Sequence, residues 1–88
     1  MREFDARTTA DVLVTTDAWG IHSHGTLALR KYMERVRAGG VDAQADPEVV
    51  GESGACAIVD GHDALGMVTA CRAMQVAIDK ARNAGIAY

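Results

Sequence analysis

The sequence predicts a small mixed α/β unit in which helices come first, a short β-hairpin follows and a long amphipathic helix closes the chain. Three observations lead there. Apolar residues recur at helical spacing in two N-terminal stretches. The β-prone runs Glu48–Val50 and Ala55–Val59 bracket Gly51-Glu52-Ser53-Gly54, as two strands and a turn would. Met67, Ala70, Cys71, Met74, Ala77, Ile78 and Ala81 then keep a helical period to a stop near Gly85. With 88 residues the chain has room for one small core and no second domain.

The first helix is predicted over Asp5–Thr16, with Ala10, Leu13 and Val14 as its apolar positions, Asp5 as N-cap and the polar Asp17 near its end. Trp19 to Gly25 breaks the period and presents a polar cluster between glycines, as an exposed connector does. A second helix is predicted from His24 to Ala38, carried by Leu29, Met33 and Val36 and capped by Ser23. Arg35 and Arg37 suit its negative end, and Gly39-Gly40 stops it. Asp60-Gly61-His62-Asp63 reads as a turn. Ile86-Ala87-Tyr88 resumes an apolar run just past a helix stop, where a strand begins, so the element order predicts a piece of a larger mixed fold.

Nine Lys+Arg against twelve Asp+Glu give a net charge of -3, with the basic residues scattered, which argues against a nucleic-acid partner. No apolar run approaches the roughly 18 residues of a membrane span, and no leader pattern opens the chain, so no membrane partner is expected and the cytoplasm is the default location. Cys56 and Cys71 each sit alone in an apolar stretch without C-x-x-C spacing. They are expected to be buried, reduced thiols rather than zinc ligands.

His22 and His24, two residues apart between glycines, are the candidates for chemistry. An imidazole titrates near neutrality and serves as a general acid–base, as a metal ligand or as a plain loop residue, and spacing does not choose among these. A metal needs further ligands, and Asp17, Asp60, His62 and Asp63 show no close helical spacing, so none is assigned. If His24 opens the second helix, Ala28 and Tyr32 share its face and Lys31 lies near it, whereas Arg30 points away. Packing explains Tyr32 equally well. Ser23 and His24 are no nucleophile–base pair by adjacency, since triads assemble from distant segments. Neither G-x-G-x-x-G nor G-x-x-x-x-G-K-[ST] is present, so a nucleotide would be held mainly by residues outside this chain.

The run Asp17 to Thr26, containing Ser23-His24-Gly25 after an Asp-x-x-Gly, together with Leu29, Tyr32, Gly39-Gly40, Val59-Asp60-Gly61, Leu65-Gly66 and Ala81 to Gly85, resembles the type 2 malate/L-lactate dehydrogenase family over essentially the whole chain. The resemblance implies a segment of the L-sulfolactate dehydrogenase-like fold, which is not a Rossmann fold. It implies an NAD- or NADP-dependent oxidoreductase that interconverts a 2-hydroxy acid and a 2-oxo acid by hydride transfer. His24 is then the catalytic candidate, beside substrate and nicotinamide, with Ser23 contacting both and Tyr32 in the substrate pocket. Many members carry an Arg four residues after the His to clamp the substrate carboxylate, and this chain has Ala28 there, which leaves Lys31 or a residue outside the chain to supply the cation. Family members are several times longer and dimeric. Residues 1–88 are therefore expected to be a single incomplete N-terminal segment, with the nucleotide-binding part missing, inactive alone and homodimeric when complete. The alternatives are a stand-alone helical interaction or scaffold protein and a small His-based metal protein.

Overall fold

A computed structural model describes all 88 residues, Met1–Tyr88. The elements run α1 (Glu3–Ala18), α2 (Leu29–Arg37), β1 (Glu48–Ser53), β2 (Cys56–Asp60) and α3 (Gly66–Ala84), with two single 3-10 turns, His22–His24 and Thr26–Ala28, between α1 and α2. The mixed α/β order expected from sequence is therefore present. α1 packs on α3, α3 also packs on β2, and α2 meets the rest mainly through the turn before it.

α1 begins two residues earlier than predicted. Arg2 takes the cap position, and Asp5 sits in the first turn. There its carboxylate is buried and accepts a 2.9 Å hydrogen bond from Arg2, which also reaches Asp46 at 2.6 Å and the Ala45 carbonyl at 3.3 Å. An early acidic residue suits the positive helix start, and the guanidinium compensates for its burial. Asp5, Thr9 and Leu13, four residues apart, form the inward face, whereas Ala10 and Val14 face solvent. The expected apolar stripe is thus displaced, because Arg2 allows a carboxylate to occupy the inner face.

β1 and β2 form an antiparallel hairpin, paired from Glu48↔Asp60 to Ser53↔Cys56. β1 runs on through Ser53, past the start of the four-residue loop read from sequence, and β2 starts at Cys56 rather than Ala55, leaving Gly54-Ala55 as the connection. Gly54, at φ 55°, supplies the left-handed residue that a two-residue hairpin requires. A bulge at Val50 shifts the register. Past Gly85, which ends α3 at φ 83°, the Tyr88 amide donates to the Ala55 carbonyl (2.8 Å) and the Tyr88 carbonyl accepts from the Ala57 amide (3.0 Å). These two bonds pair Tyr88 with Cys56 in the parallel sense, on the edge of β2 away from β1.

The span predicted for α3 agrees with the structure, but its predicted inner face does so only in part: Met67, Ala77 and Ala81 are half-buried, whereas Ala70, Cys71, Met74 and Ile78 are exposed. Val68 is buried and Ala73, Val76, Ala77 and Lys80 are half-buried, while Cys71, Met74 (62% exposed) and Ile78 (42%) lie outside. The helix therefore carries apolar residues on two sides, only one of which is covered here. Both cysteines are exposed, contrary to the expectation of buried thiols: Cys71 belongs to that outer side of α3, and Cys56 points to the hairpin face opposite the half-buried Ala57 and Val59. Lys80 ties α3 to the hairpin tip through Glu52 at 2.9 Å.

Only six residues are buried, and the apolar ones are Leu13, Leu65 and Val68. The accessible surface of 6095 Å² exceeds the about 5,000 Å² expected of a compact monomer of this mass. The radius of gyration is 14.3 Å, against about 12 Å for a compact chain of this length. So little core makes each member count. Leu13→Ala is expected to cost about 2–5 kcal/mol, whereas Leu27→Ala, at a residue 79% exposed, should change stability by less than about 0.5 kcal/mol. Urea titration of far-UV ellipticity measures both.

Candidate functional site

The polar connector between α1 and α2 is shaped by Asp17. This residue lies in the last turn of α1, where the helix carbonyls make an anion unwelcome and where no basic residue helps. Its carboxylate instead accepts the Thr26 hydroxyl and the Thr26 amide, the latter at 3.2 Å to Oδ2 and 3.3 Å to Oδ1. The Thr26 hydroxyl and then its amide, helped by the nearby His22, hold the Asp17 carboxyl below its ordinary value, against the opposing effect of partial burial. Gly25 lies directly under the carboxylate. A Cβ there would overlap the Asp17 side chain and stand 3.1 Å from the Leu13 carbonyl oxygen, so the Gly of Ser23-His24-Gly25 is required by contact.

Because Asp17 meets the Thr26 amide from α1, Ser23 does not cap the second helix as expected. Its hydroxyl pairs with His24 Nδ1 at 2.8 Å. The regular helix also starts later than His24, at Leu29, after the turn at His22–His24, the non-helical Gly25 and a second turn at Thr26–Ala28. The face shared by Ala28, Lys31 and Tyr32 holds along α2, but it does not extend back to His24 by helical periodicity. His24 and Ser23 are exposed, Tyr32 is half-buried, and Lys31 is exposed with no ion pair. No hydrogen bond or ion pair joins Lys31 or Tyr32 to His24. With Nδ1 engaged by Ser23, Nε2 is the nitrogen that His24 presents to solvent. A serine hydroxyl both donates and accepts, so the pair suits either protonation state of the ring.

The other imidazoles are elsewhere engaged: His22 Nδ1 lies 3.8 Å from Asp17, and His62 Nε2 lies 3.2 Å from Glu48, across the hairpin end. No three His, Cys, Asp or Glu side chains converge as metal ligands would. A concavity of about 410 Å³ lies between the start of α1, Asp46-Pro47 and the first half of α3, and neither it nor a smaller one beside the last turns of α1 includes Ser23 or His24. A nicotinamide nucleotide fits these residues at one end only. Ser23 and His24 offer polar atoms for the ring end, but no glycine-rich loop opens a helix to receive a pyrophosphate. Asp17 and Thr26 are the residues that spacing alone missed. The signal for them was an aspartate at the wrong end of a helix with no basic neighbour.

The Asp17–Thr26 contact carries a sign in pH. Because folding lowers the Asp17 pKa, its stabilising contribution is complete above the ordinary value of 3.8 and is lost as pH falls through the folded-state value. A titration of the Asp17 carboxyl carbon by NMR should give a midpoint below 3.8 in the folded chain, and the Thr26 amide proton should shift with the same midpoint.

Comparison with known proteins adds the family. The model for malate/L-lactate dehydrogenase matches residues 1–88. Malate dehydrogenase of Pyrococcus horikoshii is 39% identical over 84 residues, which are 96% of this chain and 23% of that protein. Its solved structure superposes with a TM-score of 0.93 over 99% of this chain and 25% of that one. Sulfolactate dehydrogenase of Methanocaldococcus jannaschii superposes with a TM-score of 0.89 at 40% identity, over 93% of this chain and 24% of that one. Ureidoglycolate dehydrogenase (NAD(+)) of Escherichia coli strain K12 is 43% identical over 83 residues, 93% of this chain and 24% of that protein. The chain thus spans about a quarter of the length of these relatives. Matched from Met1 to Tyr88 and alike in fold, the chain belongs to the malate/L-lactate dehydrogenase family.

Proposed function

We propose that these 88 residues serve as the N-terminal segment of an NAD-linked oxidoreductase interconverting a 2-hydroxy acid and a 2-oxo acid, with the nucleotide-binding part in sequence outside them. The observation that carries this reading is the placement of His24. Its ring stands on an exposed turn, with Nδ1 occupied by Ser23 and Nε2 open. The two-faced α3 supports the same reading, since a helix apolar on two sides is built to be covered twice. The relatives named above act, by their names, on malate, sulfolactate and ureidoglycolate, and one is named for NAD(+). Bound NAD would supply the two-electron acceptor. NADP is the other nucleotide to assay.

In the oxidation direction the hydroxyl on carbon 2 gives up its proton. His24 Nε2 takes that proton as a base while the Nδ1 proton points to the Ser23 oxygen, and in reduction His24 returns it to the carbonyl oxygen. Ser23 fixes the ring and offers its hydroxyl to the ring end of the nucleotide. Tyr32 and Lys31, adjacent on α2, line the substrate side, and the Lys31 ammonium takes the substrate carboxylate in place of the guanidinium that Ala28 does not supply. The chain alone, without a phosphate-binding loop, is expected not to turn over. In its complete form the enzyme works as a homodimer, in the cytoplasm.

The test replaces the matching segment of the Escherichia coli ureidoglycolate dehydrogenase with these 88 residues. The chimera should oxidise a 2-hydroxy acid, His24→Asn should lower kcat by about 100-fold or more, and Lys31→Ala should raise KM for the 2-oxo acid about tenfold with kcat little changed. Full activity of the His24→Asn chimera would refute the role of His24, and an unchanged KM would place the cation elsewhere. The 88-residue chain itself should sediment with a concentration-dependent coefficient as exposed Met74 and Ile78 find partners. A single monomer boundary at every concentration would count against self-association.

A further inference from the structure

The turn that carries His24 is fastened to α1 at two points. At its front, the Ile21 amide donates to the Thr16 carbonyl at 3.1 Å, a backbone bond that no substitution removes cleanly. At its rear, the fastening is made by side chains, through Asp17 and Thr26. Gly20, with φ 81°, turns the chain just ahead of the front fastening, and Ser23-His24-Gly25 lies between the two. Apart from Ser23, no side chain hydrogen-bonds to the His24 ring, so its direction is inherited from the backbone beneath it.

We propose that Asp17 is a positioning residue for His24. Its carboxylate grips Thr26 and lies across the bare Gly25, which fixes the turn and aims Nε2. Asp17 touches no reacting atom in this arrangement and acts only through the turn. Its placement supports the assignment: an anion in the last turn of a helix opposes the helix dipole, so the stability of α1 does not explain it. The orienting of His24 follows from the contacts above, while its value to catalysis rests on the proton-transfer reading of His24 under Proposed function.

The first measurement uses the 88-residue chain labelled with nitrogen-15. Amides 22–26 should show order parameters near about 0.85, and the neutral His24 ring should favour one tautomer. Asp17→Asn, and independently Thr26→Val, should drop those order parameters below about 0.6 and bring the two ring nitrogens toward an even mixture. Amides of α3 and the hairpin should not change, and Thr26→Ser, which keeps the hydroxyl, should restore the wild-type pattern. Asp17→Asn removes an ill-placed charge from α1, so it should leave the helix itself intact. If it nonetheless fails to fold, Thr26→Val and Thr26→Ser carry the same comparison. In the chimera, Asp17→Asn should lower kcat by about 10- to 100-fold with KM changed less than about twofold. Order parameters and tautomers unchanged in both Asp17→Asn and Thr26→Val would overturn the positioning role and leave the oxidoreductase reading standing. A loosened turn with undiminished kcat would instead overturn the catalytic value of the positioning, and the His24→Asn chimera decides the proton-transfer reading separately.

Discussion

The hydrogen bonds between the Asp17 carboxylate and Thr26 decide how the first part of this molecule is put together. α2 has little packing of its own, so its place is set by the turn that precedes it, and that turn is set by Asp17. One charge, carried at the carbonyl end of α1, supplies a partner to an amide at the opening of the next helical segment, two sites with opposite electrostatic preference. The arrangement works because the anion, unwelcome where it is attached, is directed to where amides point. The Ser-His-Gly sequence then follows from geometry: serine engages the imidazole, and glycine leaves room for the carboxylate.

Much of the fold was legible because it is written in local signals. Gly85 after a long periodic run marks the end of α3, Gly39 the end of α2, and two β-branched runs around Gly54 mark the hairpin. The inner faces were legible only in part, at Leu13 on α1 and at Met67, Ala77 and Ala81 on α3. The apolar count along α1 favours Ala10 and Val14, whereas Asp5 and Thr9 are buried, because the arginine that makes burial of Asp5 tolerable acts from outside the pattern being counted. On α3 the richest stripe, Cys71 to Ile78, lies outside and the plainer one, Val68 to Lys80, inside. A helix with two apolar sides gives one period and two phases, and periodicity alone does not rank them. At the candidate site, His24 and Ser23 were visible by residue type. The contact that arranges them joins residues nine apart across a helix end and was visible only as an aspartate out of place.

Surface and core are divided unusually for a chain of this length. Three apolar side chains carry the interior, while Trp19, Leu27, Ile58 and Ile86 are each more than half exposed. The surface is correspondingly larger than that of a compact monomer. Within this segment, side-chain ties such as Arg2–Asp46 and Lys80–Glu52 join elements beside the three apolar core residues.

The parallel pairing of Tyr88 with Cys56 gives the hairpin an asymmetry. β2 has neighbours on both sides where Tyr88 lies against it, and β1, among these 88 residues, has one. Its other margin is bent by the bulge at Val50 and carries Glu48 and Glu52, the features by which natural sheets discourage strand-to-strand growth. Within this segment the uncovered apolar surface thus lies on α3 and the guarded strand margin on β1, on different elements.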